Sequence, residues 1–313
     1  MKLYRRSSQV IDFDFVNGIS KSRTYLMGIA ILLVLIYHAM CVTYNPLRTL
    51  NIGYVGVDIF LFLSGFGLTF SYLKNSLLSF YEHRLIRLYP LYLICVCIIY
   101  YIYDNWNFID FFYNLLTVGF YIDNGINRFD WYVESLFTLY ILFPLFFIYS
   151  KLKLFGVLLL LSVISIILYV IEIPWWYDCF ISRIPIFLLG IVCARFKLTL
   201  NKIIILTIIG VILFLPCFNF ISKFLATSFL VLPIFLIISS IQGINKKYLD
   251  FISYFGKHSL EIYLANVLIL YIYQIWDLSR INRAIVYIPF QIILSSLLIF
   301  INTKINIVIE HKR

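Results

Sequence analysis

Residues 24–44 read TYLMGIAILLVLIYHAMCVTY, an apolar run that begins directly after Arg23. The run reaches the about 20 residues that a helix needs to cross the hydrocarbon core of a bilayer. The apolar core of a secretory signal peptide is shorter, about 7–15 residues, so this segment is predicted to remain in the protein as a spanning helix.

The composition extends this prediction to the whole chain. Of the 313 residues, 63% are hydrophobic and 13% are charged, whereas charged residues make up about 25% of an ordinary soluble domain. This excludes a soluble globular domain, a disordered chain, a collagen and a small disulfide scaffold. We predict an all-α polytopic membrane protein whose single domain covers residues 1–313, with a basic cytoplasmic segment at 1–23 and no appended soluble domain.

Ten segments are apolar and long enough to be candidate spans. They lie at about 24–44, 54–73, 88–104, 131–150, 154–172, 180–195, 203–219, 224–243, 259–277 and 284–303. The segment 108–122 is apolar but short, and it carries Asp110 and Asn114. It is therefore predicted to be interfacial or re-entrant.

The distribution of Lys and Arg predicts the orientation. With a cytoplasmic N-terminus and ten spans, nineteen of the 25 basic residues lie on the cytoplasmic side, as the positive-inside rule requires. Both termini are then cytoplasmic. Since the basic residues flank apolar runs and do not form one polar face, the net charge of +10 predicts a lipid bilayer as partner and no nucleic acid. The six cysteines form no CxxC pair, and no metal site is predicted.

Four ionisable residues fall inside predicted spans, where a charge near the bilayer centre costs about 2.5–3.5 kcal/mol on insertion scales. His38 lies 15 residues after Arg23, which is about 22 Å of helix. Asp58, Glu134 and Arg183 lie at a similar depth, within about 10 Å of the outer surface. We expect these groups to pair, with Asp58 or Glu134 orienting the imidazole of His38. The alternative for His38 is a core histidine bonded to a neighbouring carbonyl. The alternative for Asp58, Glu134 and Arg183 is snorkelling to the interface or a purely structural ion pair.

A second feature precedes the third span, in the segment YEHRLIRLYP at 81–90. Arg84 and Arg87 are three residues apart and so share one face of a helix. Two guanidinium groups on one face suit phosphate groups. The alternative is ordinary positive-inside anchoring. In the second span, Ser64 and Gly65 form a small pair that is interpreted as a close helix contact.

Six motifs in order resemble membrane acyltransferase family 3, the integral membrane O-acyltransferases of bacterial surface glycans. The resemblance covers nearly the whole chain. Its motifs are MGIAILLVLIYH ending at His38, GVDIFLFLSGF at 56–66, the RxxR-type segment at 81–90, WYVESLFTLY at 131–140 followed by Pro144, RIPIFLLG at 183–190 and GKHSLEIYL at 256–264.

The sequence departs from the family pattern at three places. Met27 stands where the family often has an Arg 11 residues before the His, and Arg23 lies one helical turn earlier. Leu136 and Phe137 stand where a Glu pair is frequent, and Asn266 stands where a His often follows the late Tyr-Leu.

The resemblance implies transfer of an acyl group, usually acetyl, from cytoplasmic acetyl-CoA to a sugar hydroxyl across the plasma membrane. It implies catalytic roles for His38, as general base, and Asp58, acyl-CoA binding by Arg84 and Arg87, and no metal. It also implies a polar cluster, either on the acceptor side or supporting the site, that consists of Glu134, Arg183 and Tyr140. A glycan acceptor and proteins of polysaccharide biosynthesis or export are the implied partners.

Two other functions compete with this one. A transporter or flippase for glycan precursors also has many spans and buried charges, but the chain shows no internal repeat. An inactive scaffold derived from the enzyme fits the three departures from the family pattern.

Overall fold

The chain folds into a bundle of α-helices, and the residues that the structure describes contain no β-strand. The computed structural model describes residues 15–43, 45, 51–102, 107–122, 130–149, 151–196, 201, 203–209, 211–212, 223–240, 246–275 and 280–311. The helices that both begin and end within these ranges are numbered α1 to α14. They are α1 Phe15–Val42, α2 Ile52–Lys74, α3 Leu77–Ile102, α4 Phe108–Leu115, α5 Gly119–Ile122, α6 Trp131–Ile148, α7 Lys151–Val170, α8 Trp175–Ile181, α9 Ile184–Arg195, α10 Lys223–Ser228, α11 Val231–Ser240, α12 Lys246–Lys257, α13 Ser259–Ile275 and α14 Arg280–His311.

Seven helical segments within the described ranges are long and apolar enough to cross a membrane. They are Val16–Val42, Ile52–Lys74, Leu77–Ile102, Trp131–Ile148, Lys153–Val170, Trp175–Arg195 and Ile285–Ile309. Each coincides with one of the ten predicted spans. The chain is therefore an all-α polytopic membrane protein, as predicted.

The three remaining predicted spans have different outcomes. The segments 224–243 and 259–277 contain shorter apolar helices, Leu225–Phe235 and Ser259–Tyr273. In the segment 203–219, residues 203–209 and 211–212 are described and helical, and the other residues lie outside the described ranges. The 108–122 segment forms helices of eight and four residues, α4 and α5, which are too short to span.

Helix α2 lies at the centre of the bundle, and most of its side chains are buried. It packs most extensively against α9, with one glycine of each helix at the crossing. Gly65 lies against the backbone carbonyl of Phe187, and Gly190 lies against that of Phe62. A Cβ atom at either glycine would overlap the other helix, so this contact requires glycine at both positions. The interpretation of Ser64-Gly65 as a packing motif is confirmed at Gly65.

A second glycine pair joins α1 to α12. Gly28 lies against the carbonyl of Ile252, and Gly256 lies against that of Thr24. Helix α12 is amphipathic, and its aromatic residues Tyr248, Phe251 and Tyr254 are exposed at the protein surface. This contact fixes the position of α1, and with it that of His38, relative to α12, which directly precedes α13.

Candidate active site

His38 lies near the C-terminal end of α1 and is partly buried. Its Nδ1 atom is in hydrogen-bond contact with Oδ1 of Asn266, a fully buried residue of α13. The ring centroid of Tyr37 lies 5.6 Å from that of the imidazole. Helices α1 and α13 pack directly against each other, so two residues 228 positions apart meet here.

Asp58 does not contact His38, and the predicted pairing of these two residues is wrong. The Asp58 carboxylate is completely buried and accepts a hydrogen bond from Arg183 Nε at 3.1 Å and one from Thr227 Oγ1 at 2.7 Å. A permanent cation at the same depth attracts a carboxylate more strongly than a neutral imidazole does, particularly inside a protein. Asp58 therefore forms a buried ion pair with Arg183.

The guanidinium of Arg183 is enclosed by aromatic rings and backbone. It lies over the ring of Trp131 at 4.7 Å and over that of Tyr54 at 5.3 Å. Its NH1 group donates to the carbonyl of Cys179 at 3.1 Å. These contacts join α2, α6, α8 and α9, so the pair of Asp58 and Arg183 holds four elements together.

Glu134 belongs to a separate polar cluster. Its Oε2 atom accepts a hydrogen bond from the backbone N–H of Phe120 at 2.7 Å, and its Oε1 atom lies 3.1 Å from the hydroxyl of Tyr92. The carboxylate thus fastens the short helix α5 to α3 and α6. The four ionisable groups expected to pair are divided among three separate environments, and only Asp58 and Arg183 meet.

Three arginines gather at the opposite end of α1 from His38. Arg23 of α1 and Arg84 and Arg87 of α3 lie close enough to one another for their charges to repel. Within the described part of the chain, no carboxylate forms an ion pair with any of them. The buried Nε atoms of Arg23 and Arg84 have no hydrogen-bond partner among the described residues. Such a cluster has unused donors and an excess of positive charge, so it is suited to a polyanionic ligand.

Two cavities meet at Arg87. The inner cavity has a volume of about 60 Å³, and its lining includes Arg23, Arg87 and Tyr140. Tyr140 therefore lies beside the arginines, and its role in an acceptor-side or supporting polar cluster stays a prediction. The second cavity, of about 420 Å³, is lined mainly by polar and basic residues; these include His83, Arg87, Lys257, His258, Glu261, Asn302 and Asn306.

The inner cavity and His38 lie along the same helix faces. Met27 lines the cavity and precedes His38 by 11 residues, which is about three turns of α1. On α13, Tyr263 lines the cavity and precedes Asn266 by three residues. One face of each helix therefore runs from the arginine cluster to the imidazole.

A comparison with family profiles matched residues 24–302, nearly the whole chain, to the family described as Acyltransferase domain. The chain belongs to this family. The match includes His38, Arg84 and Arg87 of this membrane acyltransferase, and Arg23 directly precedes it. No curated protein and no solved structure matched the chain.

Sequence reasoning missed two features of the acyltransferase. Asp130 accepts from Val133 N at the start of α6 and from the hydroxyl of Tyr263, each at 2.7 Å. An Asp directly before an apolar run is a helix N-cap signal that indicates the first of these bonds. The contact of Asn266 with His38 has no local signal, because it depends on the packing of α13 against α1.

Proposed function

We propose that this acyltransferase transfers an acyl group, most simply acetyl, from acyl-CoA to a hydroxyl group of a polysaccharide or lipid-linked glycan. The observation that carries the proposal is the arrangement of α1, with an arginine cluster at one end and an imidazole on the cavity-facing side toward the other. Arg23 and His38 are about 22 Å apart along this helix. A donor with an anionic head and a long arm that carries the acyl group matches this separation.

The arginine cluster is proposed to hold the phosphates of acyl-CoA. Guanidinium groups bind phosphate oxygens through paired, charge-assisted hydrogen bonds. Arg84 and Arg87 are the phosphate ligands predicted from the sequence. Arg23 is proposed as a third ligand, because its charge lies close to theirs. The large polar cavity beside Arg87 supplies further cationic side chains, among them Lys257.

His38 is proposed to act as the general base. Its Nε2 atom takes the proton of the acceptor hydroxyl as the oxygen attacks the thioester carbonyl. A C–O bond forms, the C–S bond breaks, and the proton passes from the imidazolium to the departing thiolate. An unperturbed imidazole, with a pKa of about 6.5, is a competent base at neutral pH.

The topology proposed for this reaction is the one predicted from the charges: ten spans in the plasma membrane with both termini cytoplasmic. The arginine cluster then faces the cytoplasm, where acyl-CoA is available. His38 faces the outer half of the membrane, where an exported glycan is accessible. Polysaccharide biosynthesis or export proteins are the proposed partners for delivering that acceptor.

The proposal is tested by the acyl content of the surface polysaccharide, measured by proton NMR in the wild type and in a strain that lacks the protein. We expect the O-acetyl signals to vanish while the yield of polysaccharide is maintained, and a plasmid copy to restore them. A fall in yield without a change in acylation would instead indicate a transporter or flippase of glycan precursors. Unchanged yield and acylation would indicate an inactive scaffold.

Replacing the arginines is expected to weaken donor binding. Each charge-assisted hydrogen bond contributes about 1.5–3 kcal/mol, so Arg87→Gln should lower the affinity for acetyl-CoA by about 10–100-fold. Arg23→Gln should have an effect of similar size, because its charge belongs to the same cluster. The affinity is measured by calorimetry on the protein in detergent.

Lys74→Gln is the matched control. Lys74 is exposed at the end of α2 and lines neither cavity, so its replacement removes one positive charge without removing a donor from the cluster. An affinity equal to that of the wild type in both arginine variants would contradict the assignment of the phosphate site.

A further inference from the structure

A buried chain of amide and hydroxyl groups leads away from His38 into the core. Asn266 contacts the imidazole with Oδ1, and its Nδ2 lies 2.6 Å from the hydroxyl of Tyr287 and 3.1 Å from Oε1 of Gln291. Tyr287 and Gln291 are four residues apart on α14, so they present a single polar face to Asn266. All three residues are buried, and Asn266 is completely inaccessible.

Two backbone carbonyls fix the direction of every hydrogen bond in this chain. The hydroxyl of Tyr287 lies 3.2 Å from the carbonyl of Leu35, which can only accept, so Tyr287 donates there and accepts from Asn266. The amide nitrogen of Gln291 lies 3.0 Å from the carbonyl of Ile262, so its oxygen must face Asn266. Both neighbours therefore offer acceptors to the same atom of Asn266, which must be its NH2 group.

The orientation of Asn266 dictates the tautomer of His38. With its NH2 group committed to α14, Asn266 presents only its carbonyl oxygen to the imidazole. A carbonyl oxygen accepts and cannot donate, so Nδ1 of the neutral ring must carry the hydrogen. The Nε2 atom then keeps its lone pair. A general base needs this lone pair. In the other tautomer the lone pair would be on Nδ1, which faces Asn266 and not the acceptor.

We propose that Asn266 is a positioning residue that holds His38 in the Nδ1–H tautomer, with Tyr287 and Gln291 fixing the amide of Asn266 in turn. The proposal rests on the function proposed above, in which Nε2 of His38 accepts the proton of the acceptor hydroxyl. It gives a catalytic task to a buried amide that the sequence marks only as a departure from the family pattern. Asn266 itself touches no reacting atom.

The tautomer can be observed directly by solid-state NMR of the wild-type protein in liposomes at pH 8, with 15N- and 13C-labelled histidine. The chain has 4 histidines, and the His38 signal is identified as the one that His38→Gln removes. We expect this signal to show a protonated Nδ1 and an unprotonated Nε2. A protonated Nε2 in the wild type would overturn the proposal without any variant of Asn266 having to fold.

Asn266→Leu removes the acceptor with little change in size. We expect the His38 signal of this variant to lose its pure Nδ1–H character and the rate of transfer per folded protein to fall by at least about 10-fold, within the about 10²–10⁴-fold range of general base catalysis. The affinity for acetyl-CoA should stay unchanged, because the arginine cluster is about four turns of α1 away from His38. Tyr287→Phe, which leaves Asn266 held by Gln291 alone, should have a smaller effect.

Ser295→Ala is the matched control. Ser295 contacts this group of hydrogen-bonded side chains only through Nε2 of Gln291, at 2.9 Å, and Gln291 keeps its bond to the carbonyl of Ile262 in the variant. It should leave tautomer and rate unchanged. A normal rate in Asn266→Leu would overturn the positioning role even if the tautomer is as expected. By contrast, transfer that persists in His38→Gln would refute the proposed function of His38 itself, so the two failures are distinguishable.

Discussion

His38→Gln is expected to lower acyl transfer by about 10²–10⁴-fold, the range that a positioned general base contributes, and to leave the amount of folded protein unchanged. Glutamine keeps a polar amide at the contact with Asn266 but has no basic nitrogen at neutral pH. The side chain of His38 is only partly buried, and its one hydrogen-bond contact among the described residues is with Asn266, so the packing around it has little to lose. The measurement is the transfer of radiolabelled acetyl groups from acetyl-CoA into glycan by membrane vesicles.

Two controls separate chemistry from binding and folding. His311→Gln makes the same replacement in the last turn of α14, outside the matched residues 24–302, and should transfer at the wild-type rate. The affinity of His38→Gln for acetyl-CoA should equal that of the wild type, since the arginine cluster is about 22 Å away along α1. Transfer by His38→Gln at more than a tenth of the wild-type rate would rule out general base catalysis by this residue.

Most spans could be predicted from the sequence because apolar length is a direct consequence of bilayer thickness. The predicted ranges 54–73 and 131–150 nearly coincide with α2 and α6. The start of α3 could not be predicted this way. It begins at Leu77, 11 residues before the predicted 88, because its first turns are polar and lie beyond the apolar window. These turns carry Arg84 and Arg87.

The segment 224–243 shows a second limit of apolar length. It was predicted as one span, but the structure has two short helices, Lys223–Ser228 and Val231–Ser240, separated by a turn at residues 229–230. Pro233, in the first turn of the second helix, marks this break, because its nitrogen carries no hydrogen to donate to the carbonyl of Phe229. An apolar window alone does not detect it. The break matters for the site because Thr227, at the end of the first of these helices, donates to Asp58.

The depth of the polar residues could be predicted, but their partners could not. Depth follows from counting residues at 1.5 Å each, whereas the partner depends on the rotation of each helix about its axis. That rotation is set by tertiary contacts such as the crossing of Gly65 and Gly190. The sequence therefore predicts that His38 and Asp58 lie at the same depth in the membrane, but the predicted pairing of the two is wrong. The rotation of α2 instead turns Asp58 toward Arg183.

Asp58→Asn is expected to destabilise the protein by about 3–5 kcal/mol, the cost of leaving one partner of a buried ion pair without its counter-charge. The carboxylate is 0% exposed and the arginine is 1% exposed, so water cannot replace the lost interaction. The measurement is thermal unfolding of the protein in detergent, in which size-exclusion chromatography gives the folded fraction at each temperature. Asp250→Asn, the same replacement at an exposed position of α12, should leave the unfolding temperature unchanged.

The double variant Asp58→Asn, Arg183→Met tests whether charge is the cause. It removes both charges, so it should unfold at a higher temperature than Asp58→Asn alone, although the contact of Arg183 with Trp131 is lost as well. A double variant as unstable as the sum of its single variants would contradict the ion-pair explanation. The resulting pattern is the reverse of that at His38, where activity falls and the fold persists. A carboxylate that oriented the imidazole would instead reduce transfer in Asp58→Asn at normal stability, so the two roles of Asp58 lead to opposite results in the same pair of measurements.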